Sequence, residues 1–200
     1  MLNTAKRIDK FNKEIAENYV YLEDQKKALA EKIATGEITQ DQADKQLSSA
    51  LNILKATQRE MATQLRAELE QASFLELEKI QAGYKSVTQD NKAELDLLAE
   101  AGNLAELERA AKKYENNPLA LLRLAQIAKD KNIAIMITVY EKENRLNEYF
   151  NRAKTLIESI ARYKNDNPED IAKLRMINNG KSNDAERLFN SYRNPEPFLK

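Results

Sequence analysis

Ile8, Ile15, Leu22 and Leu29 stand seven residues apart, Phe11, Tyr19 and Ile33 widen the stripe they make, and most positions between them are polar. That period predicts one amphipathic helix over residues 4–34 with a coiled-coil-like face. At 1.5 Å per residue it would be roughly 45 Å long, and its stripe would need a partner. The pattern breaks at Thr35-Gly36-Glu37-Ile38-Thr39, where Gly36 suits a left-handed helix end and Thr39 with Gln42 has the spacing of a capping box. A second helix follows over 40–85. Its Leu47, Leu51, Leu54, Met61, Leu65 and Leu69 lie on one face before the stripe shifts to Phe74, Leu77, Ile80 and Tyr84. A turn this short makes the two helices antiparallel neighbours. The second is longer by roughly 15 residues, or about 22 Å, so its far half has to meet the rest of the chain or another subunit.

Beyond a soft boundary near residue 87 the predicted helices shorten to 89–101, 104–115 and 118–131, the last opened by Asn117 as N-cap with Pro118 at the first helical position. The run Asn132-Ile-Ala-Ile-Met-Ile-Thr-Val-Tyr140 is then the most β-branched stretch in the chain. As a strand it alternates Ile133, Ile135, Ile137 and Val139 with Ala134, Met136, Thr138 and Tyr140, but no other segment reads as its neighbour, so a pairing strand would have to come from a second chain. As a helix it joins Leu146, Phe150, Ala153, Ile157 and Ile160 at three–four spacing. The favoured expectation is therefore a long helix over 133–163 with buried first turns. Asn167-Pro168 repeats the cap-and-proline start, Asn179-Gly180 reads as a stop, Asn183 with Glu186 has capping-box spacing, and 193–200 reads as an extended, Pro-bearing tail.

Composition supports this picture. Only 4 Gly and 4 Pro among 200 residues, 32% charged residues and no Trp fit helix bundles and coiled coils. The expected fold is all-α: a helical hairpin over 1–86, then a smaller helical bundle over 87–200. Charge balances at 32 basic and 32 acidic residues, so no global field draws the chain to nucleic acid or anionic membrane, and only 118–166 leans basic. No segment has the length of a membrane span or the apolar core of a signal peptide, which reads as a cytoplasmic chain or one carried inside a viral particle or host cell.

With no His and no Cys the chain lacks Ser-His-Asp and Cys-His pairings and the usual zinc sites; it also lacks a glycine-rich phosphate loop. Its carboxylates sit among lysines on polar helix faces, so neither catalysis nor a cofactor or metal is expected. The candidate protein-interaction face is Ile8, Ile15, Leu22, Leu29, Phe74, Leu77, Ile80 and Tyr84. A candidate nucleic-acid face is Lys142, Arg145, Tyr149 and Arg152, cations flanking an aromatic; against it, Glu141 and Glu148 stand four residues ahead of Arg145 and Arg152, the favourable order for ion pairs. The expected role is thus an interaction or assembly factor that binds a protein partner or itself as a homo-oligomer, with nucleic-acid association as the alternative.

Residues 116–139, NNPLALLRLAQIAKDKNIAIMITV, resemble the C-terminal region of stomatin-type scaffold proteins, in which an Asn-Pro-capped helix leads into a short β-branched strand. The helix here is shorter and that family's preceding β-rich domain is missing, so no residue role is carried over. In style, a Lys/Glu/Asn-rich chain without Cys or His is similar to helical accessory proteins of phages and mobile elements, which implies scaffolding, capsid-associated or host-interfering work.

Overall fold

The computed structural model describes residues 1–164, 168–181 and 183–194. Among these the chain is all-α: α1 Leu2–Ala34, α2 Gln40–Ala82, α3 Gln89–Ala101, α4 Leu104–Lys113, α5 Pro118–Asp130, α6 Glu141–Ala161, α7 Pro168–Met176, a π-helical turn Ile177–Lys181, and α8 Asp184–Arg193. The local signals explain the boundaries. Gly36 adopts φ 76°, a left-handed conformation that costs glycine little. Thr39 and Gln42 exchange hydrogen bonds of 2.9 and 3.3 Å, Thr88 and Asn91 form the same reciprocal box, and Asn117 Oδ1 accepts from the Ala120 N–H at 3.1 Å. At Gly102 a Cβ would come within 2.5 Å of the Leu98 carbonyl oxygen, so the chain leaves α3 by a path that only glycine fits.

Packing divides the chain differently from the expected split after residue 86. One unit is Met1–Phe74 together with the described residues of Glu148–Lys200, and the other is Leu75–Asn147. In the first unit, α1 and α2 form the expected antiparallel pair: Arg7 is ion-paired with Glu68 and Tyr19 reaches Gln58, so α2 runs backward as α1 advances. The closest backbone neighbours of α1, however, are α7, the π turn and α8. The stripe of α1 is wider than one partner helix can cover, and fully buried Ala5, Ala16 and Ala185 let backbones approach closely. Phe11, Ile15, Leu65, Leu69, Ile157, Ile160 and Phe189 complete this core.

Two helix ends in this unit are closed by side chains distant in sequence. Asp9 of α1 accepts from the Ala185 and Glu186 N–H groups at 3.0 and 2.9 Å, capping α8. Asn183 was expected to cap α8, but its side chain makes no such bond. At the end of α6, the Gln58 amide donates to the Ile160 carbonyl and the Tyr19 hydroxyl donates to the Tyr163 carbonyl at 2.7 Å. The Ile160 carbonyl lies in the last turn, where intrahelical donors run out, and Tyr163 follows two residues past the helix end.

The second unit packs α3, α4 and α5 around Leu95, Leu107, Tyr114, Leu121, Leu124 and Ile127. Here the expectation for 133–163 fails. Residues 133–138 are extended, neither helix nor paired strand, and α6 begins only at Glu141. The chain is turned at both ends of this strap by residues in the left-handed region, Asn132 at φ 54° and Tyr140 at φ 57°. Helix geometry would have carried Ile133 and Ile137 around the axis. The extended strap instead turns Ile133, Ile135, Ile137 and Val139 onto the core and leaves the alternate positions outward. The tail expected at 193–200 lies, from residue 195 on, outside the described residues, and Arg193 belongs to α8.

Candidate functional site

The residues of the expected interaction face separate by environment. Ile8 and Ile15 are fully buried by their own chain, so they hold the first unit together and are closed to another molecule. Leu22 and Leu29 are nearly buried but line an open cleft. Phe74 is 60% exposed, whereas Leu77, Ile80 and Tyr84 are half-buried. Tyr84 packs edge-on against Tyr140, with ring centroids 6.2 Å apart, and burial, with the Glu143 carboxylate beside it, pushes its hydroxyl up to about 12.

The cleft lies along the hairpin beyond the level where Tyr19 and Gln58 meet the end of α6. From there α1 and α2 continue as a pair, and a cavity of about 520 Å³ opens between them, lined by Leu22, Leu29, Leu47, Ala50, Ile53 and Leu54 with Tyr21. Tyr21 and Ile53 are 64% and 65% exposed. The polar groups around it are neutral: Asn18, Gln25, Gln46 and Thr57. A two-helix pair has only one buried seam, and here the apolar stripes are broader than that seam, so the surplus faces outward.

The expected nucleic-acid face does not form a stacking platform. Tyr149 is 3% exposed and sits among Phe189 and Tyr192, with centroids 6.0 and 5.5 Å away. Burial, with Asp9 and Tyr192 nearby, pushes its hydroxyl up to about 12. Arg152 is paired with Glu148 at 2.6 Å, the i,i+4 pair that the sequence offers. Lys142 donates to Asn116 Oδ1 at 2.6 Å. Arg145 is not paired with Glu141; it lines a second cavity, about 370 Å³, with Lys112, Lys142, Tyr84 and Tyr140. Glu115 and Glu141 also line it, so that cavity carries both signs of charge.

The strap beside it is the feature that sequence reading least anticipated. Met136 is 87% exposed. The Ile135 N–H turns back to the Ile133 carbonyl at 3.0 Å and the Ile133 N–H to the Ala128 carbonyl at 2.8 Å. Among the described residues, neither the N–H nor the C=O groups of Ala134, Met136 and Thr138 have a protein partner. Asp9 is a carboxyl that burial raises above its ordinary range, against the pull of its two backbone hydrogen bonds, and its place as the cap of α8 accounts for it.

No protein-family model matches the chain, and no curated protein and no solved structure matches it significantly. No helix among the described residues is long and apolar enough to cross a membrane.

Proposed function

We propose that the protein is a non-catalytic interaction and assembly factor that receives an amphipathic helix of another protein in the cleft of its hairpin. The observation that supports this most is the 520 Å³ cleft itself, an apolar trough between two helices whose rim residues Tyr21 and Ile53 lie open. A helix presenting apolar residues at three–four spacing fills such a trough and turns a two-helix seam into a three-helix core. The neutral rim favours a partner recognised by shape and apolar area rather than by charge. Scaffolding or host-interfering work in a phage or mobile element is a setting in which such a factor would serve.

A photo-crosslinking side chain at position 21 or 53 tests the reading in cells that express the protein, with position 26 on the polar side of α1 as control. The expected result is one protein crosslinked from 21 and 53 and not from 26. Once purified, that protein should bind the wild-type chain through an amphipathic helix and bind the folded Ile53→Lys variant at least tenfold more weakly. Equal crosslinking from all three positions, or unchanged binding to Ile53→Lys, overturns it.

A further inference from the structure

The cavity of about 370 Å³ in the second unit supports an inference independent of the cleft. We propose that it binds a free α-amino acid with an apolar side chain. Five stretches of one compact unit meet around it: Tyr84 after α2, the end of α4, the start of α5, the strap, and the first turns of α6. The frame is tied from within that unit. Lys142 donates to Asn116 Oδ1 at 2.6 Å and the Lys85 N–H donates to the Asn116 carbonyl at 2.8 Å, so α6 and the segment after α2 are both fastened to the loop that follows α4. The volume falls toward the lower end of small-molecule sites, roughly 300–1,000 Å³.

The charges on the wall select the ligand. Lys112, Glu115, Glu141 and Arg145 all line the cavity, and among the described residues none of them is ion-paired. Glu141 and Arg145 even stand at the i,i+4 spacing that favours a pair, yet they remain apart. Arg145 is half-buried and its Nε is enclosed without a hydrogen bond, a donor that has lost water and gained nothing in return. A carboxylate is the acceptor that suits a guanidinium best, through two parallel bonds. A carboxylate alone, however, would meet Glu115 and Glu141 as like charges. A ligand with an ammonium beside its carboxylate offers each sign of the wall its opposite, and an α-amino acid carries both groups on one carbon. Pro118, Leu121, Met136 and Ile137 supply an apolar surface for its side chain, and the edge-on rings of Tyr84 and Tyr140 extend that surface. Simple anions lack a group for the glutamates, and simple amines lack one for Arg145.

Titration of the full chain with L-leucine and with L-phenylalanine, followed through its amide NMR spectrum, tests this. At least one of the two should shift resonances of residues 112–115 and 136–145 saturably at millimolar concentration or below. The analogues without the amine, isocaproate and hydrocinnamate, and those without the acid, isoamylamine and phenethylamine, should bind at least tenfold more weakly, because each leaves one sign of the wall unpaired. Arg145→Lys keeps the charge but loses the parallel donors, and should weaken the amino acid at least tenfold while circular dichroism shows the variant folded. Glu115→Gln combined with Glu141→Gln should weaken the amino acid similarly, yet leave the amine-free acid bound as before or more tightly. Ile53→Lys should leave the titration unchanged, which separates this result from the fate of the cleft. No saturable shift with either amino acid, an amine-free acid that binds as tightly as its parent, or unchanged affinity in folded Arg145→Lys or in the double glutamine variant overturns the inference.

Discussion

The two units handle their backbone hydrogen bonds in opposite ways. In the first, helix ends are closed inside the chain: Asp9 supplies the acceptor that the first turn of α8 needs, Gln58 donates to the Ile160 carbonyl in the last turn of α6, and Tyr19 donates to the Tyr163 carbonyl just beyond it. In the second, the strap lays Ile133, Ile135, Ile137 and Val139 half-buried against the core, and among the described residues the peptide groups of Ala134, Met136, Ile137 and Thr138 have no protein partner. Apolar burial alone therefore does not mark a segment as finished. The strap and α1 carry similar apolar residues, and what distinguishes them is whether the main chain has found its partners.

This contrast can be broken at its strongest point by truncating the closed core. Phe11→Ala should destabilise the first unit by roughly 3–5 kcal/mol, read by denaturant unfolding, because the ring is fully enclosed and its cavity cannot collapse. A loss below about 1 kcal/mol would mean that α1 is not a core element. Next in size is Gln58→Leu, which roughly keeps the volume but leaves the Ile160 carbonyl with the Tyr163 N–H alone and takes the Gln58 acceptor from the buried Tyr19 hydroxyl. It should cost about 1–3 kcal/mol and speed amide exchange in the last turn of α6.

Asp9→Ala removes the cap of α8 and should cost about 1 kcal/mol. Its pH dependence has a definite sign. Burial holds the folded carboxyl above its ordinary value near 4, so the folded state keeps the proton more tightly and this residue's contribution falls as pH rises through the window just above that value. The stability of wild type relative to Asp9→Asn should therefore decline with rising pH across that window; a rise would reverse the assignment. The smallest effect is expected on the open side, where Met136→Thr should change unfolding free energy by less than about 0.5 kcal/mol.

Much of the helical outline was legible because its causes are local. Gly36, the Thr39–Gln42 box and the Asn117-Pro118 start each act within a few residues, and the observed boundaries follow them. The heptad spacing of Ile8, Ile15, Leu22 and Leu29 correctly announced an apolar stripe, but spacing does not say who covers it, and for the first two the answer is the chain's own α6, α7 and α8. The alternation in 133–139 was also visible. It was outweighed because Met136, Val139 and Leu146 fit helical spacing equally well, and the residue that stops the helix is Tyr140 in a left-handed conformation, which an aromatic side chain does not advertise. The long-range caps were hidden for a simpler reason. Asp9 and Ala185 are 176 positions apart, and nothing in either neighbourhood points to the other.

The charges that bracket the strap also bear on how the chain avoids fibrils. A nine-residue run this apolar and β-branched, open along one edge, has the makings of a cross-β nucleus. Parallel in-register stacking would place Lys129 over Lys129, Asp130 over Asp130 and Lys131 over Lys131, then Glu141, Lys142 and Glu143 over their own copies, with like charges 4.8 Å apart at every layer. Charge at both ends of the run thus opposes an endless parallel stack. The left-handed bends at Asn132 and Tyr140 add a second gate, since they end the flat stretch before it is long enough to seed a sheet.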